Sequence, residues 1–395
     1  MPEAERKRTY FILFVVNFLI TFAFGINDSL FSLYMGEIKA GGFIIGLAFT
    51  LYSLSKISLS PLAGKLLDRH GAFRIIFSGL ILYLLVSIAY YATNDKNLIL
   101  IVRIMQGSAC ALFRPVMHYV LGSNAETGKR GKTLGTFDLS FYLALATAPV
   151  FGGIIKEYFG FSVIFIIMLI CTLSAILLVL FIKNRLTISY RSDKKITSPR
   201  HTQPEQLKAL YVYIFFKGWA VTSMAMLLPI YMHLIGYKES YIGLTLGLAT
   251  AATAFSLPIT GHLADKARKE IMLSAGGVMS GLLLIVIFSA ESMDSFIVSS
   301  CMYGFVNAIS QPACSSMLIE SAQGNALGRS IGRFNSIMGI GASSGALVSS
   351  VLYSCSGIFT AVCLSSALSI FGGAFVMHST STLLQQETRK NALIR

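Results

Sequence analysis

Twelve apolar runs, none shorter than twenty residues, follow one another along this chain, at 10–35, 42–63, 73–92, 97–121, 133–155, 161–182, 208–235, 240–261, 270–290, 294–319, 331–353 and 358–379. A helix rises about 1.5 Å per residue, so each run is long enough to cross the roughly 30 Å hydrocarbon core of a bilayer. In lipid a backbone must satisfy its own polar groups, and a helix does so within one segment. Composition points the same way. Of the 395 residues 54% are hydrophobic and only 13% charged, whereas a soluble domain carries about 25% charged residues. The expectation is an all-α integral membrane protein with twelve transmembrane helices. Arg6-Lys7-Arg8 before the first run imitates a signal peptide, but the run is too long for one and further spans follow, so it is read as helix one.

The runs fall into two related sets. Moving the chain by 197 residues, with no gap, matches Tyr34-Met35 to Tyr231-Met232 and Ile45-Gly46-Leu47 to Ile242-Gly243-Leu244. Pro61 falls on Pro258, Gly64 on Gly261, Asp68 on Asp265, Gly107 on Gly304 and Pro115 on Pro312; Gly135 meets Gly332 and Phe137 meets Phe334. Loops tolerate insertions, so one offset held over about 100 residues points to a duplicated unit with parallel topology. The expected division is a six-helix half at 1–183, a polar linker at 184–206 and a second six-helix half at 207–395, two pseudo-symmetric bundles.

The net charge of +14 is a topology signal rather than a nucleic-acid footprint. Of the 32 Lys and Arg, 24 fall on the side carrying the termini, and four (Lys39, Lys96, Lys156, Lys238) on the other. By the positive-inside rule both termini are cytoplasmic, in a multi-pass protein of the cytoplasmic (inner) membrane. The last four, Lys56, Arg103, Arg114 and Lys217, fall within spans. The six cysteines have no metal-type spacing and the six histidines are dispersed, so neither a metal site nor an enzyme's nucleophile–base cluster is expected. No complete Gly-x-x-x-x-Gly-Lys-Ser/Thr phosphate loop is present, so ATP is not expected to drive transport.

Between the second and third runs lies a charged, glycine-punctuated turn, Gly64-Lys65-Leu66-Leu67-Asp68-Arg69-His70-Gly71-Ala72-Phe73-Arg74, echoed by Gly261-His262-Leu263-Ala264-Asp265-Lys266. Gly64 is expected to let the end of helix two approach a neighbour, and Gly71 to permit the turn. The fifth run carries Pro149-Val150-Phe151-Gly152-Gly153, a weakened and thinned stretch of helix. The repeat also isolates what is unequal. Asp28 corresponds to Ala225, Lys56 to Thr253, Arg103 to Ser300, Arg114 to Gln311, His118 to Ser315 and Asp138 to Asn335. Lys217, opposite Ile20, is the one reversed case. A charge in a span is costly, so each of these is expected to face a cavity or a partner.

These features resemble the major facilitator superfamily of secondary transporters. The turn with Gly64, Asp68, Arg69 and Gly71, and with Arg74 displaced beyond it, is similar to that family's signature between helices two and three. Arg103 through Gly107 resembles the fourth-helix motif of proton-driven members, and Pro149 with Gly152 and Gly153 the fifth-helix motif of antiporters that export drugs and metabolites. The resemblance implies two bundles rocking about a midplane site, with Gly64–Arg74 and Gly261, Asp265 and Lys266 securing cytoplasmic contacts. It also implies that helices one and four line the cavity, where Asp28 and Arg103 lie at similar depth and would form an exchangeable proton-coupling pair. A carboxylate balanced between burial and an arginine can exchange its proton when substrate alters that balance. Asn27, Lys56, Arg114, His118, Asp138 and Lys217 are the further cavity candidates. Arg114 with Asp138 reads first as a structural pair near the gate, and Lys217 as a side chain that snorkels towards the cytoplasm. The surplus of intramembrane cations favours an anionic or zwitterionic small solute, such as a metabolite or metallophore, over a lipophilic cation; the aromatic and methionine-rich seventh run offers a greasy pocket instead. The expected activity is export by proton antiport, with proton-coupled import of an organic anion as the rival and a non-transporting receptor as a remote one. No cofactor is expected beyond the proton gradient, no nucleic-acid partner, and a monomer that suffices for function.

Overall fold

The computed structural model describes residues 3–124, 130–183, 186, 204–321 and 327–394. Among them stand twelve long helices: α1 (Glu3–Glu37), α2 (Gly42–His70), α3 (Ala72–Ala92), α4 (Lys96–Asn124), α5 (Arg130–Phe159), α6 (Phe161–Phe181), α7 (Pro204–Leu234), α8 (Glu239–Lys266), α9 (Lys269–Phe288), α10 (Met293–Ser321), α11 (Leu327–Ser356) and α12 (Ile358–Ile394). Most of the linker expected at 184–206 lies outside the described residues.

Eleven of these helices are both long and apolar enough to cross a membrane. The exception is α10, which is long enough but diluted by Ser299, Ser300, Asn307, Ser310 and Gln311. Ser299, Ser300 and Ser310 are buried within the protein, so the low hydropathy of α10 reflects a polar inner face, not an exposed helix. Apolar side chains such as Phe11, Leu177, Phe255 and Ile259 project outward, as a lipid-facing surface requires.

Three of the joints are a single glycine. Gly71 (φ +79°) links α2 to α3, Gly160 (φ +78°) links α5 to α6, and Gly357 (φ +87°) links α11 to α12. A residue with a Cβ rarely adopts this backbone, and the following helix starts at once, so glycine sets each hairpin.

The chain divides into two compact units. The first contains Met1–Lys194 and Met226–Ala251, and the second Lys195–Ala225 and Ala252–Arg395. In the first, α1 packs on α5 and α6, α2 on α4, and α3 on α4 and α6. In the second, α9 packs on α10 and α12, and α11 on α12, around a core that includes Leu210, Tyr213, Ile214, Leu273 and Met317. Under the 197-residue repeat, α3 on α6 in one unit corresponds to α9 on α12 in the other.

Candidate functional site

Asp28 stands on α1 directly after Asn27, and Arg103 on α4 one turn before Gly107. The helices bring them together. Arg103 Nη1 donates to Asp28 Oδ1 at 2.6 Å, with the arginine side chain 2% exposed and the aspartate 34% exposed. The guanidinium carbon lies 3.2 Å from the centroid of the Phe31 ring, with Phe49 and Tyr52 further off, so its face is covered by aromatic carbon. Its Nε and Nη2 have no hydrogen-bond partner among the described residues. The arginine is therefore fixed and dry, while the carboxylate keeps an open side.

A third residue closes the cluster. The Gln106 amide nitrogen donates to both oxygens of Asp28, at 3.1 and 3.0 Å. Its carbonyl oxygen accepts from Arg103 Nη1 at 3.0 Å and from the Tyr90 hydroxyl at 3.1 Å. Gln106 is buried. Sequence reading noticed it only as part of the helix-four motif, because a neutral amide in a span attracts no attention. The available signal was its position three residues after Arg103, on the same helix face.

Around this cluster, close helix contact depends on residues without side chains. A Cβ on Gly107 would collide with the Tyr52 carbonyl of α2. Gly152 of α5 lies against Ile26 of α1, one residue before Asn27, where an added Cβ would come within 3.0 Å of the Ile26 carbonyl. Gly153, one position on, faces the Glu239 carbonyl at the start of α8, and Gly243 of α8 faces the Pro149 carbonyl. The Pro149-Gly152-Gly153 stretch thus seats α5 against both α1 and the first turns of α8. Asn27 itself is fully buried.

The second group lies towards the other end of α4. His118 Nε2 is 3.1 Å from Asp138 Oδ1, whereas Arg114 Nη2 is 3.9 Å away, and all three side chains are about one-third exposed. Arg114 packs over the Phe141 ring, 3.4 Å from its centroid, and His118 meets the edge of Phe137. The closer partner of Asp138 is the histidine, because stacking on Phe141 holds the guanidinium to one side. Lys56 is exposed on α2.

Two expectations need correction. Lys217 does not snorkel along α7: its ammonium turns to α10 and donates to Ser310 Oγ at 2.7 Å, to the Asn307 carbonyl at 3.3 Å and to Gln311 Oε1 at 3.4 Å. The polar face of α10 offers acceptors at the lysine's own depth, which removes the reason to reach for water. Gly64 does not bring α2 close to a described neighbour either, since among the described residues a Cβ there would meet nothing within 4 Å, and the same holds for Gly261. Arg69 and Lys266 are exposed in the last turns of α2 and α8, and Arg74 is exposed at the start of α3. The side chains of Asp68 and Asp265 lie outside the described residues. On α7 the aromatic side chains divide: Tyr211, Phe215 and Phe216, with Leu207, Lys208 and Val212, line an open apolar recess of about 500 Å³, whereas Trp219, Met224 and Met226 are buried, with the indole donating to Ser365.

Comparison with known proteins follows the same lines. The chain is 23% identical over 388 residues to the multidrug resistance protein MdtG of Citrobacter koseri, covering 94% of this chain and 95% of that protein. It is 24% identical over 304 residues to the multi-drug resistance efflux pump PmrA of Streptococcus pneumoniae, covering 74% and 76%. Among solved structures it shares its fold with a peptide transporter bound to sulfate (TM-score 0.80, 14% identity, 95% and 94% coverage) and with a bacterial homolog of the human lysosomal transporter Spinster (TM-score 0.77, 13% identity, 98% and 99% coverage). The family model of the Major Facilitator Superfamily matches residues 13–266 and again 210–392. Two matches to one model along a duplicated, all-helical, membrane-spanning chain have a single reading: this protein belongs to the Major Facilitator Superfamily.

Proposed function

We propose that this transporter exports a small organic solute across the cytoplasmic membrane by proton antiport, with Asp28 as the proton-carrying group. The observation that carries the reading is the cluster of Asp28, Arg103 and Gln106. A carboxylate with one open side is held against an arginine that is fully buried and stacked on Phe31. Protonating Asp28 removes the charge that compensates Arg103 and changes what Gln106 can donate to, so proton binding alters the contact between α1 and α4. Glutamine and arginine both reach Asp28 from α4, and the two helices respond together. Alternating access then comes from two six-helix halves, 1–183 and 207–395, rocking about a midplane site.

The direction rests on the relatives, multidrug resistance and efflux proteins over most of their length, and on the α5 glycines that seat this helix against α1 and α8. The orientation, with both termini cytoplasmic, rests on the 24-to-four distribution of Lys and Arg. Arg114, His118 and Asp138 form a second polar group in the same unit, and with Lys56 and Lys217 they leave a positive surplus that favours an anionic or zwitterionic solute. The monomer carries both coupling groups on neighbouring helices and needs no second copy for them.

Replacing Asp28 with Asn keeps the shape of the cluster and removes its proton. The expected result, in proteoliposomes, is intact insertion and substrate counterflow but loss of transport driven by a pH gradient. Gradient-driven transport at the wild-type rate would remove Asp28 from the mechanism.

A further inference from the structure

Along the first turns of α7 the recess of about 500 Å³ is lined by Leu207, Lys208, Tyr211, Val212, Phe215 and Phe216. Their spacing puts them on one stripe of the helix, nearly opposite Lys217, whose ammonium turns to α10. From Leu207 to Phe216 the stripe rises about 14 Å at about 1.5 Å per residue, roughly half of the 30 Å hydrocarbon core of a bilayer. The apolar span of α7 runs Leu207–Leu234, so the recess lies within a single leaflet, the one on the side of the termini. At its deep end the neighbouring helices are close: Gly341 of α11 lies against the Phe215 carbonyl and Gly372 of α12 against the Phe216 ring. Phe371 of α12 meets Phe216 edge-on at 5.6 Å and is itself exposed, so the recess runs on into exposed aromatic surface.

The described lining carries one charge, and it stands at the mouth, where Lys208 is exposed. Tyr211, three residues deeper, adds a phenol, and below it the lining is carbon. An ammonium at the level of the headgroups, above one leaflet's depth of aliphatic and aromatic carbon, complements an amphiphile with an anionic head and a long apolar chain. From this arrangement we infer that the recess is a binding site for an anionic phospholipid of that leaflet, its phosphate on Lys208 and one acyl chain along Val212, Phe215 and Phe216. Burial of the chain supplies affinity, and the ammonium supplies preference for a headgroup of net negative charge. A small solute would leave much of the stripe uncovered. A second copy would meet Lys208 with the side that carries 24 of the 32 Lys and Arg, which is the wrong sign of charge. The site is independent of the direction of transport and of proton coupling.

The molecule carries its own reporter. Brominated acyl chains quench tryptophan only at short range, and the single tryptophan, Trp219, lies on α7 with its ring centroid 6.4 Å from that of Phe215. Full-length protein is reconstituted in vesicles of dioleoyl phosphatidylcholine containing rising fractions of dibromostearoyl phosphatidylglycerol or, separately, of dibromostearoyl phosphatidylcholine. The site predicts half-maximal quenching at an about three- to tenfold lower fraction of the anionic lipid, as one lysine at an anionic headgroup implies. Lys208→Gln should abolish that preference and leave the phosphatidylcholine curve unchanged. Arg268→Gln removes an exposed cation on the same side of the membrane but outside the recess, and it should keep the preference, which separates a site from general attraction to a basic face. Equal curves for the two lipids in the wild type, a preference that survives Lys208→Gln, or equal loss in both variants would overturn the site. Absence of quenching by either lipid would overturn it too: with cross-linked dimers in the vesicles the face would belong to a second copy, and with Trp219 emission responding instead to dodecanoate it would belong to a carried solute.

Discussion

Gln106 commits all the hydrogen-bonding capacity of its amide to one place: two bonds to Asp28, one from Arg103 and one from Tyr90. Replacing it with Leu keeps the volume roughly constant but takes an acceptor from the Tyr90 hydroxyl and from Arg103 and two hydrogen bonds from the carboxylate. A buried group left without its partner costs about 1–3 kcal/mol, so Gln106→Leu should lower the melting temperature in detergent and weaken coupling together. Asp28→Ala should be worse. It leaves Arg103, 2% exposed, without a counter-charge, at a cost of about 3 kcal/mol or more, whereas Asp28→Asn keeps a hydrogen-bonding side chain and should melt closer to wild type. Melting curves of the three variants side by side check the order. The charged members of this cluster were legible in the sequence because a charge inside an apolar run is costly and announces itself. Gln106 was not, since its role depends on which face of α4 meets α1. Lys217 shows the same limit: its presence in α7 was evident, but the acceptors that hold it lie 90 or more residues away on α10.

At the scale of the element, α5 is seated by glycines. Gly152 and Gly153 face different neighbours, so a side chain at either position pushes α5 away from α1 or from the first turns of α8. Gly153→Val should destabilise the protein by about 1–3 kcal/mol, as overpacking generally does, and should reduce transport. Gly64→Ala, with nothing within 4 Å of the added Cβ, should leave melting unchanged or slightly raised, because alanine is the better helix former. A melting temperature for Gly153→Val equal to that of Gly64→Ala would contradict the packing described. Helix number and the joint at Gly71 were readable from apolar run length and glycine punctuation, whereas the joints at Gly160 and Gly357 were not singled out. The function of α10's polar residues was not, because hydropathy records how polar a helix is and not which way its polar face turns. The expectation for Gly64 came from the turn's composition, and composition does not say whether a small residue is small for a neighbour's sake.

For the whole molecule, duplication explains the architecture and inequality explains the chemistry. Both halves match one family model, yet the acidic residue of the proposed coupling cluster stands in the first, and its counterpart Ala225 cannot carry a proton. In the cycle proposed above, the proton is carried in the first half. The turn from Gly64 to Arg74 belongs to this scale. Asp68→Asn should shift the balance between the two open states, read as a changed pattern of cysteine accessibility on the two sides of the membrane; a pattern identical to wild type would take Asp68 out of the gate.

The central claim is that solute and proton move in opposite directions through this protein. The most direct test is proton movement in proteoliposomes containing a trapped pH-sensitive dye, challenged with anionic, zwitterionic and cationic solutes in turn. The account predicts that at least one solute, anionic or zwitterionic, drives protons against its own flux, and that Asp28→Asn abolishes the signal. Protons moving in the same direction as the solute, or solute flux with no proton movement at all, would contradict it.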